Sequence, residues 1–129
     1  MEASLEVYGK MLDLFSTMNE ATGYIKDKTR EGDFETCLGL LDDMKAAADE
    51  IRDSGIILLA RIDQVLDVQV SFDKETQYLE FTAELERLEQ AYGQANVDVS
   101  LSIIEHSVEP SLQSWHKDIV DQLGSILAS

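Results

Sequence analysis

The chain has one cysteine, Cys37, and one proline, Pro110, among 129 residues. A single thiol excludes an internal disulfide and a zinc cluster built from thiolates. One proline and seven glycines leave few turn-makers, which suits a few long helices better than many short strands. Basic residues are also scarce: 10 against 26 acidic, for a net charge of −16, with both halves acidic. Nucleic acid and anionic membrane surfaces are bound through Lys and Arg against phosphate, so neither is an expected partner. The longest apolar run, Ile56-Ile57-Leu58-Leu59-Ala60, is too short to span a membrane. Residues 1–20 lack the basic start and apolar core of a signal peptide, and a cytoplasmic location is the expectation.

What is present is helical periodicity and enough apolar residues, 44%, to build a core in a single domain. Leu5, Tyr8, Leu12, Phe15, Met18, Thr22 and Ile25 recur every three or four residues and predict a helix over residues 4–31. Gly32 stands where a helix end wants a left-handed residue, and Asp33 follows as an N-cap. Phe34, Cys37, Leu38, Leu41, Met44, Ala48 and Ile51 begin a second stripe. It continues in phase through Gly55, Leu58, Leu59, Ile62, Val65 and Leu66, which predicts one long helix through Ser54-Gly55. Val68, Val70 and Phe72 alternate with polar residues, too few to define a strand. A third stripe starts after Asp73 with Tyr78, Phe81, Leu85, Leu88 and Tyr92, and Gly93-Gln94-Ala95-Asn96 is the next stop, capped by Asn96. The fourth stripe reads Leu101, Ile104, Val108, Leu112, Trp115, Ile119, Gln122 and Ile126.

A weak internal repeat links the two halves. Shifted by 63 residues, EGDFETCLGLLDD (31–43) lies over QANVDVSLSIIEH (94–106), Phe15 over Tyr78, Met18 over Phe81, Thr22 over Leu85 and Ile25 over Leu88. Both short turns fall in register. The expected architecture is all-α: a single domain, 1–129, forming a four-helix bundle of two antiparallel helical hairpins, 4–66 and 73–126. Pro110 interrupts the fourth stripe, so the last helix is expected to kink there, or to restart with the proline in its first turn.

The rare residues cluster in HSVEPSLQSWH (106–116), which holds both histidines, the proline and the only tryptophan. Spacing argues against a metal centre. Glu-x-x-His is absent, with Ile103 and Gln113 three residues before the two histidines. Glu109 and His116 lie two turns apart, about 10 Å along a helix, and cannot ligate one ion directly. Histidine phosphotransfer domains are bundles of this size, but they place lysine and glycine after the reactive histidine. Here His106 precedes Ser-Val-Glu-Pro and His116 precedes Lys-Asp-Ile. Cys37 lies on an apolar stripe and reads as a small buried hydrophobe. No phosphate loop, hydrolase or nucleotide motif is present, so no catalysis, metal or cofactor is expected. Metal binding or phosphotransfer at His106 or His116 is the alternative.

YIKDKTREGDFETCLGLLDDMKAAADEI (24–51) resembles the helix–turn–helix of flagellin-specific export chaperones. That resemblance implies a small cytoplasmic helical bundle that wraps a protein client. AYGQANVDVSLSIIEHSVEPSLQSW (91–115) resembles a part of uncharacterised small helical bacterial proteins and implies no activity. Ile56 and Ile57 fall off the stripe of their helix, which points to wider burial or to a contact surface. Trp115 is on stripe, a core anchor or an interface anchor. The expected function is an acidic, chaperone- or adaptor-like interaction module that self-associates and receives a basic or helical protein partner, with Ile56, Ile57 and Trp115 as contact residues.

Overall fold

Two short turns organise the chain, and each is written in local chemistry. At Gly32 the backbone turns left-handed, φ 75°. The Asp33 N–H reaches back to the Lys28 carbonyl, and Asp33 Oδ1 accepts the Thr36 N–H. The helix before this turn, α1, spans Glu2–Arg30 and the helix after it, α2, spans Phe34–Leu66. At the second turn Ala95 is left-handed, φ 53°. The Asn96 N–H reaches the Ala91 carbonyl, and Asn96 Oδ1 accepts the Val99 N–H. Helix α3, Thr76–Gly93, precedes it. Helix α4 covers residues 97–128 as Val97–Ile103, a π-helical turn Ile104–Val108, Glu109–Ile119, a second π turn Val120–Gly124, and Ser125–Ala128. The computed structural model describes residues 2–66 and 75–128. The alternation at Val68, Val70 and Phe72 and the start at Asp73 lie outside the described residues, as do the side chains of Ile62, Val65 and Leu66.

All regular structure among the described residues is helical. α1 packs along α2, α2 along α3, and both α1 and α3 against α4. One hydrophobic cluster draws on all four, from Met11, Phe15 and Met18 through Leu41, Ile51 and Leu58 to Phe81, Leu85, Leu112 and Trp115. α2 is continuous through Ser54-Gly55; buried Gly55 lies under Met11, and an added Cβ would meet the methionine Cε at an ordinary 3.6 Å.

The repeat seen in the sequence is a structural one. Gly32 and Ala95, Asp33 and Asn96, and their reach-back hydrogen bonds all fall at the same offset. So do Thr29 and Tyr92, 63 residues apart, which hydrogen-bond each other across the core at 2.8 Å. Beyond Ile104 the offset grows by one residue. Buried Met44, Ala48, Ile51 and Leu59 then match buried Val108, Leu112, Trp115 and Leu123. The π turn is where that residue enters: the Glu109 N–H reaches the Ile104 carbonyl, five residues back. Two side-chain pairs obey the same rule. Lys45–Glu89 at 2.6 Å matches Glu109–Lys26 at 2.5 Å with the charges exchanged. Arg52 over Tyr78 matches His116 over Phe15.

The π turn also precedes the proline. Pro110 sits in the first turn of the segment Glu109–Ile119, and because the helix runs on through it the missing N–H leaves the ladder one hydrogen bond short. A wide turn at Ile104–Val108 also gives its ring room against the carbonyl four residues back.

Several stripe positions differ from expectation by one residue. In α1, Ser4 and Met11 are buried, whereas Leu5 is exposed and Leu12 half-buried. In α2, Leu38 is largely exposed. In α4, Ser100 and Leu123 are buried in place of Leu101 and Gln122. The shift at Gln122 has a definite cause, since the second π turn, Val120–Gly124, advances the phase by about one residue.

Ala95 supplies a testable asymmetry between the turns. A Cβ in the left-handed region costs about 1 kcal/mol, and Gly32 avoids that cost at the equivalent position. Ala95→Gly is therefore expected to raise the unfolding free energy by about 0.5–1 kcal/mol in urea titration. Gly32→Ala should lower it by a similar amount, although nothing lies within 4 Å of the added Cβ, because the strain is in φ and not in space.

Candidate functional site

Lys45, Asp49, Arg52 and Ile56 follow one another at spacings of four, three and four, so they line one flank of α2. α3 brings Tyr78, Leu79, Thr82 and Glu86 opposite. Together with the first three they enclose a groove of about 410 Å³. Its floor is held by polar contacts. The Tyr78 hydroxyl donates to Asp49, and the Arg52 guanidinium lies 4.6 Å from the centroid of the Tyr78 ring. Lys45 Nζ donates to Glu89 at 2.6 Å. The Thr82 hydroxyl is engaged with the carbonyls of Tyr78 and Leu79. Leu79 is 57% exposed and supplies an apolar wall.

The electrostatics of the groove are acidic. The hydrogen bond with Glu89 raises the Lys45 pKa, with Asp42 and Glu86 adding to it. Arg52 is held charged chiefly by Asp53, with Asp49 also nearby. Five carboxylates thus surround two cations. The hydrogen bond to Asp49 raises the Tyr78 phenol above its ordinary range, and burial adds to the rise.

The residues singled out in the sequence have separate fates. Ile56 and Ile57 are 39% and 51% exposed. Both therefore present apolar surface on α2, and of the two readings of this pair wider burial fails. Trp115 is 3% exposed; its ring meets Phe15 edge-on at 5.0 Å and lies 5.8 Å from Phe81 and 6.0 Å from Tyr78. A contact role for Trp115 is corrected accordingly, because the side chain is committed to the interior. His106 is exposed on the first π turn. His116 stacks on Phe15 with centroids 4.7 Å apart and planes within 5°. The carboxylates near them turn to α1: Glu109 to Lys26 at 2.5 Å and Glu105 to Arg30 at 3.9 Å. Among the described residues no group of three His, Cys, Asp or Glu side chains is placed to hold a metal ion. Cys37 is buried, as its place on the stripe implied, with its sulfur 3.5 Å from Thr29 Oγ1.

The groove itself was not anticipated. The signal in the sequence was the charged line Lys45, Asp49, Arg52, one step off the apolar stripe and running into Ile56. Such a line reads equally well as a solvated face until α3 is placed beside it.

Among the described residues no helix is long and apolar enough to cross a membrane. A family model for a domain of unknown function, DUF8042, matches residues 6–118, a stretch that takes in both turns and the groove. No curated protein and no solved structure matches the chain.

Proposed function

We propose that this chain, which belongs to the DUF8042 family, is a small protein-interaction module of the chaperone or adaptor kind, without catalysis. Its two antiparallel hairpins form a four-helix bundle, with the last helix bent at Pro110. It works in the cytoplasm, associates with itself, and steers basic partners by its net charge of −16. The observation that carries this reading is the adjacent pair Ile56 and Ile57. Two large aliphatic side chains stand 39% and 51% exposed in the middle of a helix whose other face is fully buried. Adjacent exposed aliphatic side chains of this kind provide the apolar surface a protein contact needs.

Ile56→Asp/Ile57→Asp tests it. Because Ile57 is half exposed and Ile56 more than a third exposed, the two changes together should alter folding stability by only about 1 kcal/mol. Sedimentation equilibrium should show the wild type associating at high concentration and the double variant monomeric. A wild-type chain that stays monomeric throughout, and that retains no defined partner in pull-downs from its native host, would defeat the reading.

A further inference from the structure

We propose that the groove between α2 and α3 receives a basic amphipathic helix of the partner, its apolar face on Leu79 and Ile56 and its cations against Glu86 and Asp49. This rests on the interaction reading above and names the surface and the chemistry of its occupant.

Three observations converge on it. The first is shape. The groove of about 410 Å³ lies between two helices, and the line from Lys45 to Ile56 extends roughly 16 Å along the α2 axis, the length of three turns of a docked helix. The second is the apolar wall: Leu79 at 57% exposure is the most exposed of the large hydrophobic side chains described, and Ile56 extends the same flank. The third is charge complementarity. Lys45 and Arg52 are already occupied by Glu89 and Asp53, and Asp42, Asp49 and Glu86 are left in excess around them. An acidic partner would meet that excess and the long-range field of the whole chain. A basic one is drawn by both.

The rest of the molecule offers weaker surfaces. The equivalent seam between α1 and α4 carries His116 on Phe15 and the Lys26–Glu109 pair, with Val120 exposed at the position equivalent to Ile56, but exposed Ser16 stands where Leu79 supplies the apolar wall. Cys37 and Thr29 are fully buried.

The probe is a synthetic helical peptide of leucine and lysine at amphipathic spacing, titrated into the full chain by fluorescence anisotropy, with a scrambled peptide of identical composition beside it. Leu79→Glu should weaken binding at least tenfold even though it adds negative charge, which separates the apolar contact from attraction alone. Glu86→Lys should also weaken it at least tenfold. Glu20→Lys, an identical charge change at an exposed site on α1, should cost less than twofold. Amide shift changes on titration should fall on residues 45–56 and 78–86. Equal losses from Glu20→Lys and Glu86→Lys, equal affinity for the scrambled peptide, or shifts mapping to another face would each overturn the proposal. If the groove fails while Ile56→Asp/Ile57→Asp still abolishes self-association, the interaction reading stands and only this assignment falls.

Discussion

Trp115→Ala is expected to remove about 3–5 kcal/mol of folding free energy. A domain of this size has roughly 5–15 kcal/mol in total, so the variant should be close to unfolding at physiological temperature. The magnitude follows from what the ring touches. Phe15 comes from α1, Phe81 and Tyr78 from α3, and Trp115 itself from α4. Removing the indole therefore opens a cavity where three helices meet, and close-packed neighbours collapse only partly into such a space. Its repeat equivalent, Ile51, is also buried but is much smaller, so the second helix pair places the larger load on this position. Because Trp115 is the only tryptophan, unfolding should be followed by circular dichroism in urea. Ile57→Ala is the matched control and should shift stability by no more than about 0.5 kcal/mol. A loss below about 1 kcal/mol for Trp115→Ala would mean that the ring is not packed as described.

The contrast between Trp115 and Ile57 also marks what could be read from sequence. The turns were legible because their chemistry is local: Gly32 before Asp33, and Asn96 after the stop at Gly93, are sufficient signals in themselves. The continuity of α2 followed from phase. The choice between Leu5 and Ser4, or Leu12 and Met11, was not legible, because adjacent residues flank one buried line and a period of 3.6 does not separate them. In α4 the difficulty was different. Ile104, Val108, Leu112, Trp115, Ile119 and Leu123 are buried, and steps of four dominate. An α-helix drifts under such spacing. The two π turns at Ile104–Val108 and Val120–Gly124 absorb the drift and keep the stripe facing inward, and a reader assuming a uniform helix places Gln122 where Leu123 belongs. The groove was hidden for a third reason. Tyr78 and Asp49 carry no joint signal in the sequence, and only the packing of α2 on α3 brings them together.

The repeat bears on how the two halves are held. Turns, ion pairs and ring contacts recur in both, yet each of those contacts lies within one seam. Thr29 with Tyr92 is different, since the two are equivalent positions in contact with each other, each beside its own turn. The charges stand exchanged between the two seams, Lys26–Glu109 against Lys45–Glu89, while the Thr29–Tyr92 pair is shared by both halves.

Thr29→Val should therefore cost about 1–3 kcal/mol, the second large effect expected here. Thr29 Oγ1 donates to the Ile25 carbonyl at 2.7 Å, so its oxygen must accept from the Tyr92 hydroxyl at 2.8 Å. Valine keeps the shape and deletes the oxygen acceptor, leaving the phenol proton only the weakly accepting Cys37 sulfur beside it. Tyr92→Phe deletes the donor instead, and Thr29 keeps its bond to Ile25, so its cost should be smaller, about 1 kcal/mol. The double variant should cost less than the two single changes combined, because no unpaired hydroxyl remains. Alkaline pH supplies an independent check. Burial is the main cause that pushes the Tyr92 phenol well above its ordinary value, with Cys37 adding to the rise. Above about pH 10 the unfolded chain releases this proton while the folded chain retains it. Stability should then fall as pH rises beyond 10, and the fall should be shallower in Tyr92→Phe. Identical alkaline slopes for wild type and Tyr92→Phe, or strictly additive costs in the cycle, would show that the two halves are not joined through this bond.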